Sequence, residues 1–331
     1  MLNAAIIGFG GIAQAHKQGY EALEAQGKVR LACAYDINPE AAQKTVALNI
    51  SSGSDTAKGG VNFYTDLEEM LAKEKIDYID ICAPTYQHKE LTIQMLRRGF
   101  HVLCEKPMSL SSADCEEMIA VAKECGKSLM IGQVLRFYPA FDYVKEVIED
   151  GRYGKILNAH FSRLSTPPTW GWDNWFMDPS RSGGCILDLH VHDVDMVRHL
   201  FGEPEAVFCR TSTSICTNDV VHTTFIYGDL PVTAVGDWTQ TNVPFTAIAH
   251  LGFEKATVVV NLTDVTVYPK DGGEAIKVEL DQTIPFAREI GYFVDVISGK
   301  VVNTKNPPES AAMTVKLVEK MCESAKTGKV C

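Results

Sequence analysis

Up to residue 131 the chain alternates between two hydrophobic periods. Short β-branched and apolar runs at 4–7, 29–35, 78–83, 101–104 and 128–131 predict strands. Longer stretches at 12–25, 39–48, 67–74, 88–98 and 111–125 carry apolar residues three or four apart and predict the helices between them. Strand and helix in alternation build a parallel sheet with helices on both faces, which takes its ligands at the carboxyl ends of its strands.

After one more helix at 138–149 the pattern changes. Strand candidates follow at 155–164, 206–214, 220–227, 232–239, 245–252, 256–261, 265–268 and 275–280, with turn residues such as Asn242, Gly272 and Gly273 between them. This succession predicts a large, mostly antiparallel open sheet. Helices are expected at 183–201, inserted after the first of these strands, and at 286–297 and 308–327. The fold class is thus α/β, with a doubly wound parallel sheet in residues 1–124 and an α+β domain in residues 125–331. A sheet covered by helices on one face leaves its other face needing a partner, so a homodimer or homotetramer through the second sheet is expected.

At 331 residues the chain is long enough for two such domains. Its 46% hydrophobic and 22% charged residues are those of an ordinary globular protein. No apolar run reaches the roughly 18 residues that a bilayer span needs. No basic stretch with an apolar core precedes the first strand, so a cytoplasmic protein with no membrane partner is expected. The net charge of −11 argues against nucleic acid, because phosphate backbones are bound by clustered lysine and arginine. The ten cysteines include no C-x-x-C pair, which suits free thiols in a reducing compartment.

The first strand runs straight into Gly8-Phe9-Gly10-Gly11-Ile12-Ala13, a G-x-G-x-x-A turn that opens a helix. The first glycine permits the tight turn, the second lets backbone approach a pyrophosphate, and the small last residue lets helix and strand pack closely. The helix N-terminus adds unpaired amide N–H groups and a partial positive charge. The second strand ends at Asp36, about 20 residues on, as a dinucleotide fingerprint requires. Its carboxylate suits the adenosine ribose hydroxyls and repels a 2′-phosphate, so NAD is expected and NADP disfavoured; the bland alternative is a helix cap. After the fourth strand, Pro84 and Thr85 can wall the nicotinamide ribose, and His88 is either a cofactor contact or an ordinary first-turn residue.

The fifth strand ends in Glu105-Lys106-Pro107. In order along the chain, G-F-G-G-I-A-Q-A-H ending at His16, A-P-T-Y-Q-H ending at His88, E-K-P, Arg136-Phe137-Tyr138-Pro139, and the run from Gly183 to Asp195 resemble landmarks of the Gfo/Idh/MocA oxidoreductases (glucose-fructose oxidoreductase, inositol dehydrogenase and relatives). The specific likeness covers residues 1 to about 200; beyond, only the strand pattern agrees. The resemblance implies an N-terminal Rossmann domain, NAD and a sugar, inositol or related polyol as substrate. It also implies Lys106, Asp188 and His192 as the catalytic set, with His192 as acid–base and the other two supporting. Gly8, Phe9, Gly10, Gly11, Ile12, Asp36, Pro84, Thr85, His88, Glu105 and Lys106 would line the cofactor. A cis bond before Pro107, common in the family, would aim the lysine, and Glu105 would lie on the nicotinamide side.

This fits the chemistry, since oxidising a hydroxyl needs a base and a stabiliser for the developing alkoxide beside the nicotinamide. Asp188 and His192 are four apart, which on one continuous helix puts them on one face, where a carboxylate can orient an imidazole. Asp195 and His199, further along that face, read as structural. Two departures from the family pattern stand out: Cys185 replaces the third glycine of G-G-G, and His190 stands where glycine is common. His190-x-His192 also raises the question of a metal, but helix residues two apart diverge, and none is expected. The loop 166–182 holds Trp170, Trp172 and Trp175; Trp172 and Trp175 either line a carbohydrate pocket or anchor the loop. Arg136 and Arg163 either bind a substrate carboxylate or pair with an acid. Two other functions stay open: an NAD-retaining glycosidase of the same fold, and a non-catalytic sugar or nicotinamide sensor. The sensor would tolerate loss of Lys106 or His192, and both are present.

Overall fold

The computed structural model describes residues 1–43 and 60–331. They form two compact units, the first from Met1–Ser109, Ala113–Val134 and Thr283–Ala312, the second from Leu110–Ser112, Leu135–Gln282 and Met313–Cys331. Residues 125–134 and 283–312 therefore go with the first unit, beyond the 1–124 segment expected of it.

In the first unit β1 (Leu2–Ile7), β2 (Val29–Tyr35), β3 (Asn62–Tyr64), β4 (Tyr78–Ile81), β5 (His101–Glu105) and β6 (Leu129–Gly132) form one sheet in the order β3-β2-β1-β4-β5-β6. Every pair in it is parallel. The order reverses between β1 and β4, and a crevice opens at such a switch point above the strand ends. Burial on both faces explains the apolar runs: Ala4, Ala5, Ile6, Ile79 and Ile81 are all buried. α1 (Gly11–Glu24), α2 (Leu67–Lys73), α3 (His88–Arg97) and α4 (Ser112–Glu124) connect the strands. The helix expected at 39–48 begins as a 3₁₀ turn, Pro39–Gln43, and its remainder lies outside the described residues. β3 escapes the hydrophobic pattern because it is three residues long with an exposed asparagine.

The last helix of this unit comes from far along the chain. Pro285–Ile297, α9 in chain order, packs on α1 so closely that a Cβ on Gly19 would lie 3.0 Å from the Ala287 amide nitrogen. Glycine is required there by the approach of two backbones.

The second unit contains α5 (Pro139–Asp150), ended by Gly151 at a left-handed φ of +64°. Its eight strands are β7 (Ile156–Leu164), β8 (Ala206–Ser212), β9 (Val220–Tyr227), β10 (Leu230–Asp237), β11 (Thr246–Phe253), β12 (Ala256–Asn261), β13 (Asp264–Pro269) and β14 (Ile276–Lys277). They lie in the order β14-β13-β12-β11-β7-β10-β9-β8, antiparallel except for β7 beside β10. On β7 the residues Ala159, Phe161 and Arg163 are buried while Asn158 and His160 are exposed and Ser162 is half-buried, the alternation of a sheet covered on one face. The strand expected at 275–280 shrinks to two paired residues. α6 (Pro179–Ser182), α7 (Cys185–Asp188), α8 (Val191–Phe201) and, from Met313 onward, α10 (Pro308–Thr327) are the unit's other helices.

The expected helix at 183–201 is corrected to two helices. The His190 amide reaches back five residues to the Cys185 carbonyl at 2.9 Å, and a new ladder starts with the Asp193 and Val194 amides on the His190 carbonyl. At the break the His190 ring is buried, bonded to Thr223 Oγ1 at 3.0 Å and packed where a Cβ on Gly236 would stand 2.9 Å away. All ten cysteines are free. Among the described residues no helix is long and apolar enough to cross a membrane.

Gly19→Leu should lower stability by about 1–3 kcal/mol, since the added side chain must push α1 and α9 apart. Urea unfolding checks this, and an unchanged midpoint would contradict the close approach.

Candidate active site

The glycine turn is fixed by a near collision. Gly8 has a φ of +88°, and a Cβ on it would lie 2.7 Å from Ala83 Cα, so the ends of β1 and β4 meet backbone to backbone. Gly10 faces open space, with nothing within 4 Å of where its Cβ would be. Gly10 is also the N-cap of α1 and offers no side chain to its amides, which leaves the first-turn N–H groups at Gly11 and Ile12 for an anion. Phe9 is buried against Phe63, and its backbone N–H donates to Asp36 Oδ2 at 2.7 Å. The Asn38 amide donates to the other oxygen at 2.8 Å. Asp36 is thus held at the end of β2 by two backbone donors, with lone pairs left over for hydroxyl donors. The open glycine, the uncapped helix and the fixed carboxylate fit a dinucleotide.

The other half of the sheet carries the lysine. Glu105 ends β5, the Lys106–Pro107 bond is cis, and Lys106 is half-buried. The Lys106 amide donates to Glu105 Oε2 at 3.0 Å. Glu105 has space only because residue 132 is glycine, where a Cβ would stand 2.8 Å from Oε1. Pro84 and the buried Thr85 open a 3₁₀ turn after β4. His88 is buried too, with Nδ1 2.8 Å from the Pro107 carbonyl and Nε2 2.8 Å from the Ala83 carbonyl. Burial lowers its pKa, and the two carbonyls oppose that shift. Both ring nitrogens are therefore taken by the fold, which corrects the expectation of a cofactor contact through this ring. His88 ties the loop after β4 to the loop after β5.

Beneath these loops lies an ion cluster that sequence reasoning did not assign. His16 of α1 is buried with Nδ1 2.7 Å from Asp80 Oδ2 and Nε2 2.8 Å from Glu105 Oε1. Two carboxylates accept from one imidazole, so the ring is an imidazolium; burial opposes the charge, but Asp80 and its hydrogen bond raise the pKa well above the usual value. Tyr20 donates to the same Asp80 oxygen at 2.8 Å. Glu289 of α9 is buried beside them. The histidine eight residues past Gly8 was the one visible signal.

In the second unit, Asp188 ends α7 and is buried, while His192 is half-buried in the first turn of α8. The helix break lies between them, so the expectation of one face of one continuous helix is corrected. Arg136 is closed on Asp195 in a two-pronged fork at 2.8 and 2.7 Å, and Thr314 adds a bond to Asp195 at 2.9 Å. Burial would raise the Asp195 pKa, but Arg136, with Arg198 and Thr314, holds it below the usual carboxylate range. Arg163 makes the same fork with Asp193 at 2.9 Å for both bonds. Both arginines are buried, so of the two readings open for them it is the pairing with an acid that the structure shows; substrate carboxylate binding is corrected. Trp172 is exposed with the Arg181 guanidinium over it, and Trp175 stacks on Phe176 with centroids 3.9 Å apart. Asp173 and Asn174 between them take left-handed φ values of 50° and 49°.

Two family models match the chain: residues 2–133 fit the oxidoreductase family with the NAD-binding Rossmann fold, and residues 141–282 fit the GFO/IDH/MocA C-terminal domain. The chain belongs to the Gfo/Idh/MocA family. Its first unit is an NAD-binding Rossmann fold. Among curated relatives, 2,7-anhydro-N-acetylneuraminate hydratase of Escherichia coli is 34% identical over 43% of this chain and 38% of its own length. The myo-inositol 2-dehydrogenase of Thermotoga maritima is 36% identical over 46% of this chain and 44% of its own. These matches span less than half of either relative. A levoglucosan dehydrogenase solved with NADH and levoglucosan superposes with a TM-score of 0.82 at 20% identity, covering 100% of this chain and 98% of that one, a likeness of fold.

Asp195→Ala should cost about 3–5 kcal/mol, because it leaves the Arg136 guanidinium buried and unpaired. Denaturant unfolding measures it, and a loss below 1 kcal/mol, the scale of an exposed pair, would contradict a buried fork.

Proposed function

We propose that the chain is an NAD-dependent dehydrogenase that oxidises a hydroxyl of a sugar, an inositol or a related polyol. The observation that carries this reading is a lysine at the carboxyl end of β5, in a sheet whose β1 and β2 ends carry the open glycine turn and Asp36. Relatives support the substrate class by name, one a myo-inositol 2-dehydrogenase and another a levoglucosan dehydrogenase.

Bound NAD supplies the hydride acceptor. The uncapped amides of α1 hold its pyrophosphate, and Asp36 accepts from the adenosine ribose hydroxyls. By the two-fold logic of this fold the nicotinamide belongs to the β4 and β5 half, where Pro84, Thr85, Glu105 and Lys106 lie. The Lys106 ammonium holds the substrate oxygen and stabilises negative charge as it develops there. His192 takes the hydroxyl proton on a ring nitrogen, and Asp188 orients the imidazole and favours its charged form. We further propose a homo-oligomer through the open face of the second sheet.

Screening inositols, aldoses and sugar acids for NADH formation should find a substrate, with NADP reduced more slowly than NAD. His192→Ala should then lose about 10²–10⁴-fold in kcat, and Lys106→Ala should be similarly impaired. Full activity in either variant, or turnover of a glycoside with no net NADH, would overturn the dehydrogenase reading. For the oligomer, light scattering should give a multiple of the chain mass; the mass of one chain would sink it.

A further inference from the structure

Glu289 is an anomaly. Its side chain is fully buried, and neither carboxyl oxygen has a hydrogen-bond partner among the described residues. A carboxylate in that setting lacks any compensation for lost water. One of its oxygens, a ring nitrogen of His16 and an oxygen of Glu105 all lie within 4.8 Å of one another.

The neighbours show where a proton must be. Asp80 is saturated, with His16 and Tyr20 on one oxygen and the Cys82 thiol 3.7 Å from the other, while Tyr78 donates to Tyr20 at 3.1 Å. Glu105 accepts from His16 on one oxygen and from the Lys106 amide on the other. Both neighbouring acids already have their donors, and an ionised Glu289 would add a further buried negative charge with no donor to meet it. A cation bound in its place would need a lone pair of His16, and both ring nitrogens donate.

We propose that Glu289 is the proton-carrying member of this cluster and that it answers to the charge of the nicotinamide. It holds a proton while no positive ring stands beside Glu105, and releases it to solvent when oxidised NAD binds. This rests on the reading above that the nicotinamide occupies the β4 and β5 half. The groups that act on Glu289 are Glu105 from β5, His16 from α1 and Asp80 from β4; Tyr20 and the Cys82 thiol donate to Asp80, and Tyr78 donates to Tyr20. Burial, and after it the charge of Glu105, raises the Glu289 pKa well above the ordinary carboxylate value, in line with the geometry. The sign follows by linkage: the oxidised cofactor favours the deprotonated cluster and binds more tightly as pH rises, by up to about tenfold per pH unit, while the reduced cofactor is nearly indifferent.

Calorimetric titration of the full chain with NAD⁺ and with NADH, in buffers of different protonation enthalpy, counts the protons released. Infrared difference spectra of the same additions report the carboxyl directly. Up to one proton should leave on NAD⁺ binding and nearly none on NADH binding, with loss of a protonated-carboxyl band. Glu289→Gln should abolish both signals while still binding NADH. Equal release with the two cofactors, or release and band both retained in Glu289→Gln, would overturn the proposal and leave the cofactor site standing. Failure of either cofactor to bind would overturn both. Should Glu289→Gln not fold, the wild-type spectrum decides, and absence of the band change overturns the proposal.

Discussion

The first unit depends on one steric constraint, the contact of the β1 and β4 ends at Gly8 and Ala83. Because backbone meets backbone there, the chain leaving β1 has no room to turn except upward into α1, which puts the uncapped helix end at the switch point of the sheet. The same contact sets β4 beside β1, so Asp80 falls under α1 within reach of His16. The glycine turn and the buried ion cluster are two results of a single close approach, one above the sheet's edge and one within its helical layer.

Charge is handled differently in the second unit. Arg136 with Asp195 and Arg163 with Asp193 are forks in which each guanidinium meets one carboxylate on two bonds. Such pairs give geometric definition more than net stability, since both ions have lost their water. Asp193 and Asp195 both belong to α8, the helix that also carries His192. The forks clamp that helix to Arg163 of β7 and to Arg136 just before α5, and so fix the orientation from which the imidazole projects.

What was legible in the sequence follows from the range of each interaction. Strands 29–35, 220–227 and 256–261 and the helix 308–327 were readable to the residue, because period and burial are local signals. The glycine turn and the place of Asp36 at the end of β2 were readable because the turn and the βαβ unit fix their spacing, whereas the E-K-P step stood out only through the family resemblance. The break at His190 was not, since the contacts holding it, Thr223 and Gly236, lie on strands whose register no local pattern reveals. The arginine forks join residues 59 and 30 apart, and nothing in either partner's neighbourhood names the other. Glu289 sits in an apolar periodic run in which a lone glutamate reads as the solvent side. Only the tertiary approach of α9 to α1 puts it inside.

That approach bears on how the protein is made. The cofactor turn is complete once β6 is synthesised, yet Phe286, whose ring centroid is 5.1 Å from that of His16, and Glu289 arrive only after the whole second sheet has been translated. A nascent chain ending at residue 134 would possess every glycine of the turn and still leave His16 without its cover. The first unit is therefore begun before the strands of the second are translated and can be closed only after them.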